Sequence, residues 1–125
     1  MQRLVFEKAW DKTIDSQDRQ DLVKAFEKAN QADHPERFIP FWQARNHRDD
    51  LLITVIIQNL TDDILTLDGV RLTYDEKGYA IATHTFSDAR LTLEPRCSMP
   101  WTFIFPKSTI QQEPELESGY VRERN

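Results

Sequence analysis

The segment that most restricts the fold is Leu51-Leu52-Ile53-Thr54-Val55-Ile56-Ile57-Gln58-Asn59. Branched aliphatic residues dominate it, and such side chains suit a pleated, half-buried backbone. Alternate side chains of a strand point to opposite faces. Leu51, Ile53, Val55 and Ile57 therefore make one unbroken apolar face, directed at the core. The other face mixes Leu52 and Ile56 with Thr54 and Gln58, and is expected to be partly covered. A strand of this kind needs a layer on each side. The apolar run from Leu51 to Ile57 is seven residues long, well short of the roughly 20 needed to span a bilayer as a helix.

Shorter segments with strand character surround it. Phe38-Ile39-Pro40-Phe41-Trp42-Gln43-Ala44-Arg45 is extended and apolar on both faces, with Pro40 marking an edge or a strand start. Ile64 to Leu67, Val70 to Tyr74, Tyr79 to Phe86, Leu91 to Leu93 and Trp101 to Phe105 follow. Asp75-Glu76-Lys77-Gly78 is a hairpin turn in which Gly78 supplies a positive φ. The facing of Tyr79–Phe86 is ambiguous, and the face holding Ala80, Ala82 and Phe86 is preferred over that of Tyr79 and Ile81. Turn signals every 8–12 residues indicate an antiparallel sandwich rather than a parallel sheet. Before the strands, Leu22, Val23, Phe26 and Ala29 fall on one helical stripe over about residues 16–30. Asp15 or Ser16 is the expected cap, and Asn30 with Asp33-His34-Pro35 the expected end. Leu4-Val5-Phe6 could be a strand or an extended arm. The expected fold is α+β: a mainly antiparallel, immunoglobulin-like β-sandwich of six or seven strands with one N-terminal helix. One domain occupies 1–106, and the Gln- and Glu-rich residues 107–125 form a mobile tail.

Charge narrows the function. Sixteen Lys and Arg against 21 Asp and Glu leave a net charge of −5. No segment is basic, so neither nucleic acid nor an anionic membrane is an expected partner. The N-terminus has no apolar stretch of signal-peptide length, and a cytoplasmic location is expected. The single cysteine, Cys97, can form no internal disulfide or multi-cysteine zinc site. It reads as an incidental thiol, although Arg96 beside it would favour a thiolate. None of His34, His47 and His84 stands at metal-ligand spacing from another His or Cys. Asp49-Asp50 and Asp62-Asp63 read as turn residues. Asn59-Leu60-Thr61 matches a glycosylation sequon but is more simply a turn. With three glycines and no phosphate-loop or nucleophile motif, no catalytic residue and no cofactor is expected. A rival reading is a ligand- or metal-binding domain using His47, His84 and the turn acids.

Aromatic residues carry the remaining signal. Phe38, Phe41 and Trp42 cluster around Pro40. They are either buried beneath the helix or part of a partner-binding patch, which could also pair two copies of the chain. Pro100, Trp101, Phe103 and Phe105 belong to a segment whose rings read as core anchors.

Three stretches together resemble a known family. They are Leu4-Val5-Phe6-Glu7-Lys8-Ala9-Trp10 with Ile14 and Asp18-Arg19-Gln20, Ile81-Ala82-Thr83-His84-Thr85-Phe86, and Ser98-Met99-Pro100-Trp101-Thr102-Phe103-Ile104-Phe105-Pro106-Lys107. They resemble the SLAP domain of Firmicutes, named after the S-layer assembly protein of the accessory Sec system in bacilli, over roughly residues 3–110. The Pro-Trp-x-Phe-x-Phe-Pro segment is the distinctive part. The resemblance implies a small accessory or interaction domain, present in two copies in larger members that assist export of surface-layer proteins. It implies no catalytic residue. The expected function is a non-enzymatic protein-interaction domain with an unidentified protein partner.

Overall fold

Leu51–Gln58 is a strand, β3, and of its eight residues only Leu52 is less than fully buried. The structure, a computed structural model, describes residues 2–33 and 35–124. β1 (Arg3–Leu4) is followed by two helices, α1 (Lys8–Thr13) and α2 (Ser16–Ala29), and then by β2 (Phe38–Arg45) and β3. β4 (Leu65–Thr66), β5 (Val70–Glu76), β6 (Tyr79–Phe86), β7 (Thr92–Leu93) and β8 (Cys97–Phe105) come next. A 3-10 turn at Lys107–Thr109 and a last strand, β9 (Gly119–Glu123), complete the order. The sheets run β1-β8-β3-β2, β4-β7 and β6-β5-β9. All pairings are antiparallel except β1 with β8.

One hydrophobic cluster is shared by the two larger sheets. Leu51, Ile53, Val55 and Ile57 of β3 and Met99, Trp101, Phe103 and Phe105 of β8 supply one side. Leu72, Tyr74, Ile81, Ala82 and Val121 supply the other. The Phe86 ring stands 4.8 Å from Phe103 and 5.1 Å from Phe105, so β6 of the smaller sheet contacts β8 of the larger. A second cluster lies on the opposite face of the four-stranded sheet. There Leu22, Ala25, Phe26 and Ala29 of α2 pack with Ile39 of β2 and Ile56 of β3.

The helical part departs from the expectation of one helix. α1 forms because the Glu7 carboxylate accepts from the amides of Ala9 and Trp10, at 2.7 and 3.2 Å. α2 begins at Ser16 as expected, but Asp15 precedes it without a side-chain cap bond. Asn30 closes it, donating from Nδ2 to the Phe26 carbonyl at 2.8 Å. His34 lies outside the described residues. The Lys77-Gly78 turn has positive φ at both positions, which matches the right-handed twist of β5 and β6. In β6, two of its residues, Ile81 and Ala82, oppose one step of β5 where Tyr74 pairs Ala82 and Asp75 pairs Ala80. That bulge turns both Ile81 and Ala82 inward and leaves Tyr79 exposed. A regular strand would have had to choose one face.

The chain does not stop at Pro106, and the expectation of a mobile tail from residue 107 is corrected. β9 adds to β5 through five residue pairs. The buried Glu76 carboxylate accepts from the Tyr74 hydroxyl at 2.6 Å and from the amides of Glu115 and Leu116 at 2.8 and 3.0 Å. Desolvation, with the Glu76 carboxylate next, pushes the Tyr74 phenol far above its usual range, so it stays a donor. A Cβ on Gly119 would overlap the Tyr74 ring, so only glycine lets the strand approach. Arg122 bonds Asp75 at 2.5 Å and Arg37 bonds Glu123 at 2.7 Å.

A polar node ties the N-terminal elements to the sheet. Gln58, fully buried, accepts at Oε1 from Asn30 Nδ2 and Ser98 Oγ, at 2.8 and 2.9 Å, and donates from Nε2 to the Glu36 carbonyl at 2.8 Å. Gln2 Nε2 donates to Ser98 Oγ at 3.0 Å.

Truncation after Pro106 strands Glu76 and uncovers Tyr74. It is expected to cost more than about 3 kcal/mol. A thermal melt of the truncated chain, read by near-ultraviolet circular dichroism, checks this; an unchanged midpoint would show the segment to be dispensable.

Candidate interaction face

The outer face of the four-stranded sheet is set by one irregularity. Ile39 pairs Ile56, Pro40 pairs Val55, and Trp42 pairs Thr54, so Phe41 is an extra residue in β2. Without it, Trp42 would point into the core. With it, the alternation reverses and Trp42 joins Phe41 on the helix side of the sheet. Two cross-strand rows result on that face: Thr102-Thr54-Trp42 and, beyond it, Ile104-Leu52-Ala44. The first row is joined by a 2.8 Å hydrogen bond between the hydroxyls of Thr54 and Thr102.

The helices cover only one end of this face. Leu22 sits over Ile39 and Ile56, but Trp42 is 59% exposed and Ile104 50%. Between the covered and bare ends lies a groove of about 400 Å³, walled by Trp10, Ile14, Leu22, Phe41 and Trp42 and floored by Thr54 and Thr102. Asp18 and Asp21 of α2 stand on its rim, and among the described residues no Lys or Arg lines it. Arg19, between them in sequence, is engaged elsewhere, pairing with Asp11 at 2.7 Å and lying over the Phe6 ring at 4.5 Å.

The sequence-derived aromatic residues separate accordingly. Phe38 is a core residue, edge-on to Phe103 at 6.3 Å, and belongs to no surface patch. Phe41 is half-buried under the helices, and Trp42 alone of the three is open to a partner. Pro100, Trp101, Phe103 and Phe105 are all buried. Sequence reasoning missed Trp10, Ile104 and the acid rim. Ile104 was legible as the outward residue between Phe103 and Phe105; the meeting of α1 with β8 was not.

The remaining candidates are dispersed. His47 lies in the β2–β3 turn, whereas His84 is in β6, edge-on to Phe86 at 5.0 Å. Cys97 opens β8, buried, its sulfur accepting from Arg3 at 3.4 Å. No group of three His, Cys, Asp or Glu is placed to hold a metal ion among the described residues. Asp50 Oδ1 accepts from the Lys107 amide at 2.9 Å, a bond that holds its carboxyl below the ordinary range. Asp62 is lowered by its bond with Arg96. Asn59 of the sequon is fully buried, and its Nδ2 donates to the carbonyls of Asp63, Leu93 and Glu94. That amide is a loop staple, inaccessible for glycosylation in the folded chain.

Arg90 makes the clearest electrostatic tie beside the face. It lies over the Trp101 ring at 4.9 Å, pairs with Asp88 at 2.7 Å and reaches Glu7, the cap of α1, at 3.8 Å. Hydrogen bonds from the Arg90 side chain, then from its backbone amide, lower the Asp88 carboxyl to about 2.

The family model described as SLAP domain matches residues 4–121. No curated protein matches the chain, and no solved structure does.

Two outcomes are expected. Phe103→Ala should cost about 3–5 kcal/mol, whereas Trp42→Ala should cost less than about 1 kcal/mol; chemical denaturation of both variants measures the contrast. A depressed carboxylate pKa stabilises the fold above its unfolded value, and that contribution is lost as pH falls through the folded value. The Asp88 contribution should therefore fade between pH 3.8 and about 2. A carboxyl titration followed by NMR should find its midpoint near 2 and find it raised toward 3.8 in Arg90→Gln.

Proposed function

Because the chain belongs to the SLAP domain family, we propose that it is a non-enzymatic protein-interaction domain, accessory to Sec-linked secretion or cell-surface assembly. The observation that carries this reading is the half-covered outer face of the four-stranded sheet, where Trp42 walls an apolar groove and both Trp42 and Ile104 are exposed. Large side chains of this type that lie together at a surface are commonly sites of contact with another protein. The cluster shared by the two larger sheets supports taking them as an immunoglobulin-like sandwich, a scaffold that offers faces and loop ends to partners. The expected compartment is the cytoplasm, where the chain would meet export components before translocation.

A photo-crosslinking amino acid at position 42, with position 79 on β6 as the control, tests the reading. In a Firmicute lysate, irradiation should give a discrete adduct from position 42 and none from position 79, and mass spectrometry should identify export or surface-assembly proteins in it. Adducts of equal yield at both positions, or none at either, would count against an interaction role.

A further inference from the structure

We propose that the groove between α2 and the β2–β3–β8 face receives a short cationic, apolar segment of a partner protein, its apolar side chains against Trp10, Phe41 and Trp42 and its Lys or Arg beside Asp18 and Asp21. This rests on the reading of the chain as an interaction domain and names the partner's chemistry. The walls are apolar and the floor consists of two threonines whose hydroxyls already satisfy each other. Nothing in the floor selects a polar ligand. Specificity falls to the rim, where two carboxylates stand and no Lys or Arg lines the groove among the described residues; Asp21 accepts from Gln17 at 3.0 Å, and Arg90 lines the adjoining hollow with Asp18. An apolar body with positive charge at one flank complements that distribution.

Other occupants fit less well. A second copy docked groove to groove would bring two acidic rims into one interface, with no Lys or Arg lining either groove among the described residues to pair with them, and that opposes association. The groove, at about 400 Å³, admits a few side chains of one segment. A stable dimer instead needs about 800 Å² of self-complementary surface from each partner. Addition of a strand to the outer edge of β2 is blocked as well. Pro40 lacks an amide donor, Phe41 breaks the register, and the start of the strand is tied to β9 through Arg37 and Glu123.

Panning a phage-displayed library of random dodecapeptides against the full chain tests the assignment. Enriched peptides should combine aliphatic or aromatic residues with Lys or Arg. A synthetic peptide from that pool should blue-shift tryptophan emission on binding, and its affinity should fall as salt rises. Trp42→Asp should weaken it at least tenfold. The milder double variant Asp18→Asn, Asp21→Asn should weaken it severalfold and flatten the salt dependence, while Tyr79→Ala leaves it unchanged. Thermal melts of the variants confirm that each is folded. Enriched peptides that lack cations, or that bind Trp42→Asp equally well, would overturn the groove assignment while leaving an interaction role intact. Self-association in sedimentation runs that disappears in Trp42→Asp would give the face to a second copy instead. Failure to enrich any peptide would overturn the proposal; together with no crosslink at position 42, it would overturn the interaction role too.

Discussion

The antiparallel pairing of β3 with β8 is the constraint from which the rest follows. Eight residue pairs, Leu51 with Phe105 through Gln58 with Ser98, fix which side chains face the smaller sheet and which face the helices. Phe103, Phe105 and the odd residues of β3 then supply a wall of rings and branched aliphatics that the 70–86 hairpin and β9 must cover. The even residues supply a second, narrower wall, and α2 covers only its Ile56 end. The bare end of that wall is the exposed face. Core and candidate interface are thus two sides of one ladder, and a change of register would exchange them.

Much of this was legible in the residues. The period-two alternation of 51–57 and the helical stripe through Leu22 and Phe26 each express a local rule strong enough to survive folding, and the turn expected over Asp75–Gly78 is present but confined to Lys77-Gly78, since Asp75 and Glu76 still pair within β5. What was not legible depends on contacts distant in sequence. β9 carries only Val121 inward, and its place is secured by Glu76, Tyr74 and the absence of a side chain on Gly119. A short polar strand of this kind has no periodicity to read. α1 depends on a Glu cap at a position where Ser, Thr, Asp and Asn are preferred. The bulges at Phe41 and Ile81 shift the facing of everything after them.

The candidate site shows the same division. The aromatic run 38–42 was visible as a cluster, but its partition was not. Phe38, ahead of the bulge, stays in the core; the extra residue, Phe41, lies beneath the helices and turns Trp42 from the core side to the exposed face. Of the residues behind the rival reading, Asp50 bonds a backbone amide, Asp62 pairs with Arg96 and His84 stands edge-on to Phe86. In these contacts Asp50 and Asp62 anchor loops, and His84 packs within a strand.

The amide of Gln58 has a consequence for how the chain finds this arrangement. Its partners, Asn30 and Glu36 in the α2–β2 connection and Ser98 in β8, come from two distant parts of the sequence. Each alone is a poor exchange for water, since an amide out of solvent is unfavourable until its hydrogen bonds are complete. Burial of this end of the central ladder is therefore favourable when those partners are in place. Gln58 thus works as a checksum on the finished fold: that end of the ladder is both dry and fully bonded only in the alignment that brings the α2–β2 connection and the start of β8 to the same amide.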